Sequence, residues 1–273
     1  MTYKKFWQSL TAVYDEGEAR AVARLVLETR FGLSLADMLC GACGDEKELR
    51  QIQQRLLTGE PVQYILGTAE FGKLTFLVEP GILIPRPETY ELCQWVLQDL
   101  PTDSRDTILD IGTGSGCIAC TLASERAGTE VTGWDLSEKA LEVARRNALR
   151  LNVRLSLDRQ DALNPPCDTN RWDIIVSNPP YICEKEKGNM ERNVLEHEPA
   201  EALFVPDDNP LLFYRAIARY ARNSLNKGKS MFLEINAMYA QETETMLRDE
   251  GFPVVEIRQD QYGKERFIKA TKL

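Results

Sequence analysis

An α/β fold is predicted for this chain, with a mostly parallel sheet covered by helices on both faces and a small helical domain ahead of it. Three observations predict it. From Asp106 to the C-terminus, short β-branched runs alternate with apolar stripes at helical spacing, the pattern of crossover-connected strands. A glycine-rich turn, Gly112-Thr113-Gly114-Ser115-Gly116, follows the first of those runs and opens a helix. The last two strand-like runs, Val254 to Ile257 and Arg266 to Ala270, have no helix between them, so they pair antiparallel.

Residues 1 to 60 read as helical. Ala19, Val22, Ala23, Val26 and Leu27 form a stripe that Gly32 stops. Ser34 caps Leu35 to Leu39, and Asp45 caps Glu46 to Leu57, which ends at Gly59-Glu60-Pro61. Residues 61 to 85 change character: Val62 to Gly67 and Leu74 to Val78 are rich in β-formers with glycines between, which predicts a short hairpin linker. Pro87-Glu88 then starts a helix running to about Leu100, with Leu92, Val96 and Leu100 inward.

The alternation proper follows. Strands are expected at Thr107 to Ile111, Glu130 to Trp134, Arg154 to Leu157, Trp172 to Ser177 and Met231 to Ile235, before the antiparallel pair. Helices are expected at Cys117 to Arg126, Glu138 to Leu151, Leu211 to Leu225 and Tyr239 to Arg248. The long polar stretch from Ile182 to Pro210 reads as a functional or mobile loop, since unstructured connections of that length are uncommon.

Composition narrows the function classes. Hydrophobic content of 43% with 27% charged residues excludes a disordered chain, and no apolar run is long enough to span a bilayer. The N-terminus has no apolar signal core, which predicts a cytoplasmic protein. A net charge of −9 argues against a broad grip on nucleic acid. Cys117 and Cys120 share one helix face, as packing residues do. Cys40 and Cys43 do not follow a strand as a redox pair should. The single histidine, His197, gives no support to a histidine-based triad or metal site, so no metal is expected.

Two constellations carry chemistry. Gly112, Gly114 and Gly116 let a ligand approach the backbone, and the helix start offers free N–H groups. Asp135 ends the next strand, placed to hydrogen-bond a ribose diol. A dinucleotide fingerprint would need glycine where Cys117 stands, which favours a ribose-bearing cofactor without a pyrophosphate, S-adenosyl-L-methionine. Asp161, at the third strand end, joins that set. The second constellation is Asn178-Pro179-Pro180-Tyr181, a rigid turn after a buried strand. Asn178 Oδ1 and the Pro179 carbonyl can accept two N–H bonds from a flat, weakly nucleophilic amine or amide, with Tyr181 packed against it. No strong general base is required, because positioning supplies the rate. The N6 of adenine and the side-chain amide of glutamine both fit.

The chain resembles the PrmC/HemK family of protein-(glutamine-N5) methyltransferases. The resemblance rests on Gly59 to Ile65, Ile82 to Thr89, Asp110 to Gly116, Ser177 to Ile182, Glu198-Pro199-Ala200-Glu201-Ala202-Leu203 and Leu233-Glu234-Ile235. It implies a Rossmann-like class I methyltransferase with a seven-stranded mostly parallel sheet over residues 86–273. The helical residues 1–60 would help to dock the substrate. It further implies that Asn178 to Tyr181 hold the glutamine of the Gly-Gly-Gln motif of peptide-chain release factors. Gly112 to Gly116 and Asp135 would hold S-adenosylmethionine, and Arg86 and Glu88 would line the entrance. No nucleic-acid or membrane partner is implied. Four positions depart from the family pattern: Tyr90 where glutamate is frequent, Asn236 where glycine is frequent, Ala162 where some members carry an aromatic residue beside the adenine, and Asn209-Pro210-Leu211 in place of Gly-Leu.

Overall fold

The computed structural model describes all 273 residues. They form two compact units, one of Met1–Thr68, Val78–Pro80 and Met190–Glu198, the other of Ala69–Leu77, Gly81–Asn189 and Pro199–Leu273.

The first unit is helical. It holds α1 (Tyr3–Leu10), α2 (Glu16–Phe31), α3 (Leu35–Leu39), α4 (Glu46–Leu57) and α5 (Val62–Leu66). Each of the first four starts at a side-chain cap, from Thr2, Asp15, Ser34 and Asp45 respectively, which satisfies a backbone N–H that has no partner within the helix. Phe6, Leu10, Val26, Leu27, Leu49 and Leu56 make its core. The expected strand at Val62 to Gly67 is instead α5, and the hairpin is made by β1 (Thr68–Phe71) and β2 (Leu74–Leu77). The β-formers misled because Val62, Ile65 and Leu66 also stand at i, i+3 and i+4, and that stripe packs on the helical core.

The second unit carries the sheet. After α6 (Pro87–Asp99) come β3 (Thr107–Ile111), α7 (Cys117–Glu125), β4 (Glu130–Asp135), α8 (Glu138–Leu151), β5 (Ser156–Arg159) and β6 (Trp172–Ser177). The long polar stretch holds β7 (Ile182–Cys183) and β8 (Phe204–Val205), which pair with each other, and α9 (Arg192–His197), which belongs to the helical unit. The chain closes with α10 (Leu212–Ser224), β9 (Leu225–Glu234), α11 (Ala240–Asp249), β10 (Val254–Gln259) and β11 (Glu265–Thr271).

Seven strands form one sheet in the order β10-β11-β9-β6-β3-β4-β5. β9, β6, β3, β4 and β5 run parallel, while β11 is antiparallel to both β9 and β10. Successive residues face opposite sides. Leu109, Ile175, Met231 and Leu233 pack with α10 and α11, whereas Ile108, Ile174, Val176 and Phe232 pack with α6 and α7. Burial on both faces explains the nearly continuous apolar runs.

Two strands lie away from their sequence-based positions. β5 starts at Ser156 and not at Arg154, because an exposed edge strand takes its register from its one neighbour, Thr132 to Asp135 of β4. β9 begins at Leu225, six residues ahead of Met231, because Leu225 pairs with Trp172 through a stretch whose Lys227, Gly228 and Lys229 conceal the strand. All seven cysteines are free thiols. Cys40, Cys43 and Cys167 are exposed, while Cys93, Cys120 and Cys183 are buried. Burial pushes the Cys93 and Cys120 thiols up, and that of Cys117 to about 12.

One buried amide ties the site-bearing parts of this unit together. Asn147 of α8 accepts from the Leu77 N–H at 2.7 Å and donates to the carbonyls of Leu77 at 3.0 Å and Ser115 at 2.8 Å. Asn147→Ala strips partners from buried backbone groups, so it should cost about 3 kcal/mol or more, read as a lower urea midpoint with unchanged slope.

Candidate active site

β3 continues to β4 on one side of the sheet, whereas β6 leads to β9 on the other. Open α/β sheets bind ligands at such a reversal, beyond the C-terminal strand ends. The last ladder step pairs Ile111 with Ser177, and Ser177 Oγ donates to the Ile111 carbonyl at 2.6 Å. Gly112 and Asn178 are the next residues on the two strands, and a cavity of about 560 Å³ opens between the segments they start.

The glycine turn forms one wall. The Gly112 and Thr113 N–H groups both donate to the Trp134 carbonyl, at 2.9 and 2.8 Å, which folds the turn over the end of β4. Gly112 (φ 75°) and Gly114 (φ 56°) are left-handed, and a Cβ on either would meet nothing within 4 Å. The space above their backbone is therefore a cradle that a side chain would fill. Gly116 does a different job: its Cβ would lie 3.1 Å from the Ala144 Cβ, so it sets the approach of α7 to α8 and does not line the cavity.

Asp135 Oδ2 accepts from the Gly114 N–H and Oδ1 from the Ser137 N–H, both at 2.9 Å. Each oxygen keeps a lone pair for a ligand. Beneath the turn, fully buried Asp110 accepts at Oδ2 from Thr113 Oγ1 at 2.7 Å and from the Ala119 N–H at 3.2 Å, while its Oδ1 has no partner. Burial raises both carboxyls. Asp110 reaches about 7, held back by its hydrogen bonds from Thr113 and Ala119 and raised further by the charge of Asp135. Of the two, only Asp135 lines the cavity. Asp161 and Ala162 line the cavity, with the carboxyl of Asp161 accepting from the Leu163 N–H and from Asn164 Nδ2.

The opposite wall is the corner expected to hold the acceptor. Asn178, Pro179 and Pro180 line the cavity together with Arg86 and Thr89. Glu88 is half-buried and Tyr181 lies behind the wall, and neither is a lining residue. Tyr181 is committed elsewhere: its hydroxyl donates to Glu234 Oε1 at 2.9 Å. Thr89 and Glu234 were not singled out by sequence reasoning, although both fall in quoted motifs; for Glu234, a charged residue closing an apolar strand was the available signal. Of the departures, Tyr90 packs edge-on to Phe71 and over Gly72, away from the cavity. Asn236 is buried and donates to the Tyr181 carbonyl and to Glu186.

Comparison with known proteins bears on this geometry. A family model described as Methyltransferase small domain matches residues 91–203, and one described as PrmC N-terminal domain matches residues 4–67. The chain is 42% identical over 272 residues to the release factor glutamine methyltransferase of Bacteroides thetaiotaomicron, covering 97% of each. The chain belongs to the release factor glutamine methyltransferase family. The enzyme of the same name from Flavobacterium psychrophilum is 38% identical, over 98% of this chain and 96% of that one. A 16S rRNA N2 methyltransferase from T. thermophilus, solved with AdoMet and guanosine, shares the fold at 20% identity and a TM-score of 0.54. That match covers 76% of this chain and 50% of that one. The sheet is thus a class I methyltransferase sheet, whose cofactor is S-adenosylmethionine. The open cradle over Gly112 and Gly114, with the Asp135 carboxyl in the cavity wall beside it, fits that nucleoside.

The Asp110 carboxyl has a consequence for stability. Its folded pKa lies above its unfolded one, so the folded state keeps a proton that the unfolded state has lost. Its contribution is full below about 3.9 and declines as pH rises to about 7. The stability advantage of Asp110→Asn over the wild type should grow by about 2 kcal/mol between pH 5.5 and 8.5, measured by urea unfolding at each pH. A constant difference would show that this carboxyl does not titrate near neutrality.

Proposed function

We propose that the chain methylates the side-chain amide nitrogen (N5) of the glutamine in the Gly-Gly-Gln motif of peptide-chain release factors, tuning translation termination. The observation that carries this reading is the pairing of Ile111 with Ser177, which sets a cofactor cradle and an amide-gripping turn across one cavity. S-adenosylmethionine, when bound, supplies an electrophilic methyl group on a sulfonium sulfur. The peptide-like lone pair of a glutamine amide is delocalised, so the protein must hold the nitrogen in line and exclude water.

Asn178 Oδ1 and the Pro179 carbonyl accept the two amide N–H bonds. Both acceptors grow stronger as charge develops on the nitrogen, so they stabilise the transition state more than the ground state. The Pro179-Pro180 pair fixes the backbone and lowers the reorganisation cost. The N–C bond would form as the methyl–sulfur bond breaks, leaving a neutral thioether and a cationic nitrogen; one proton then passes to solvent, and no side chain needs to act as a strong base. Gly112 to Ser115 hold the cofactor, with Asp135 and Asp161 at its polar edges and Ala162 against its flat part. Arg86 lines the entrance, and the helical unit docks the release factor. No helix is long and apolar enough to cross a membrane. A cytoplasmic enzyme acting on a translation protein, and not on nucleic acid, is the corresponding reading.

Labelled cofactor should mark a release factor, but neither its Gly-Gly-Gln glutamine→alanine variant nor duplex DNA. Label on DNA would transfer the acceptor assignment to adenine N6. Asn178→Ala should reduce transfer by about 10²–10³-fold while calorimetry shows cofactor binding largely intact; unchanged transfer would sink the mechanism. Gly114→Val fills the cradle and strains a left-handed backbone, so it should abolish cofactor binding in the same calorimetric experiment.

A further inference from the structure

Behind the acceptor corner, at the end of β9, sits Glu234, only 2% exposed. Its two oxygens take two protons: Thr89 Oγ1 donates to Oε2 at 2.6 Å and the Tyr181 hydroxyl to Oε1 at 2.9 Å. Thr89 is equally buried, and its oxygen also receives a hydrogen bond from Asn178 Nδ2 at 3.0 Å. Positive charge on Arg266 and the two hydroxyl donors oppose the strong desolvation of the carboxylate.

The proton inventory gives this chain a direction. A carboxylate offers lone pairs only, so the single hydroxyl proton of Thr89 is committed to Glu234. Thr89 Oγ1 then has nothing but lone pairs for Asn178, and Asn178 must meet it with its NH₂ group. The Oδ1 atom is left for the cavity. An asparagine amide is nearly symmetric in shape, and the reversed orientation would present N–H groups to the N–H groups of the acceptor. It would repel the substrate it should grip.

We propose that Glu234 is a positioning residue for methyl transfer, acting through Thr89 to fix the amide of Asn178 with Oδ1 toward the acceptor nitrogen. The proposal rests on the functional reading above for the identity of that acceptor. Glu234 does not line the cavity. Tyr181 occupies its other oxygen, which holds the carboxylate plane and removes the alternative of a rotated, half-satisfied group. The role is therefore one of hydrogen-bond polarity and not of charge delivered to the reaction.

The test compares Thr89→Val, Thr89→Ser and Glu234→Gln with the wild type. Thr89→Val keeps the shape and removes the hydroxyl. Glu234→Gln places a donor where only acceptors stood, so Thr89 can turn its proton toward Asn178 and reverse the amide. Both variants should lose about 10²–10³-fold in kcat, with cofactor Kd and the cooperativity of thermal unfolding retained. Thr89→Ser should recover at least about tenfold of the loss seen in Thr89→Val. The side-chain NH₂ resonances of Asn178, read by ¹⁵N NMR without substrate, should be shifted and protected from exchange in the wild type and in Thr89→Ser, and not in Thr89→Val. Wild-type kcat in both Thr89→Val and Glu234→Gln, or equal losses in Thr89→Ser and Thr89→Val, would overturn the proposal. If the wild type moved no methyl to a release factor, the functional reading would fall, and the Asn178 resonances would still decide this one.

Discussion

The parallel ladder between β3 and β6 is the constraint on which the site depends. Its final step joins Ile111 to Ser177, and the Ser177 hydroxyl adds a side-chain hydrogen bond at the same step. The glycine turn and the Asn178 corner begin one residue later, with Gly112 on one strand and Asn178 on the other. A slip of one residue would turn Ile108, Leu109, Ile174 and Ile175 to the wrong faces and empty two packed cores. The hydrophobic register and the distance between cofactor cradle and acceptor grip are therefore the same quantity. Hydrophobic burial, which is not directional, holds a directional site in place through that register.

Three carboxyls surround this junction, and each is held above its ordinary range by desolvation: Asp110 under the glycine turn, Asp135 at its flank, and Glu234 behind the acceptor corner. Groups of this kind weaken the fold, and their hydrogen bonds from Thr113, Ala119, Ser137, Gly114, Thr89 and Tyr181 return only part of the cost. Such an arrangement is characteristic of functional sites. Asp110 and Asp135 also raise one another's cost, since the charge of Asp135 adds to the desolvation of Asp110. Glu234 is balanced from within, by Arg266.

Most of the sheet was legible because its strands are buried on both faces and its helices are capped. Asp45, Ser34 and Gly32 marked boundaries that the structure keeps. The misreadings have physical causes. Val62 to Leu66 satisfies two periodicities, and tertiary packing chose the helical one. β5 is an edge strand with little to bury, so its ladder partner chose its residues. The cavity lining was legible where it sits in contiguous motifs, as in Gly112 to Ser115 and Asn178 to Pro180. It was illegible where function depends on side chains 145 residues apart, as with Thr89 and Glu234. Tyr181 shows the limit of a motif: its place was legible, and its hydrogen-bond commitment to a distant strand was not.

The distribution of thiols gives the molecule a chemical geography. Cys93, Cys117 and Cys120 are held away from the thiolate form, while Cys40, Cys43 and Cys167 face solvent. Alkylating reagents act on thiolates, so maleimide dyes are directed to Cys40 and Cys43 on the helical unit and to Cys167 on the sheet unit. None of those three lines the methyl-transfer cavity. With one of the first pair removed, the native sequence already carries a donor–acceptor pair of attachment points, one on each unit, for following the distance between them by fluorescence.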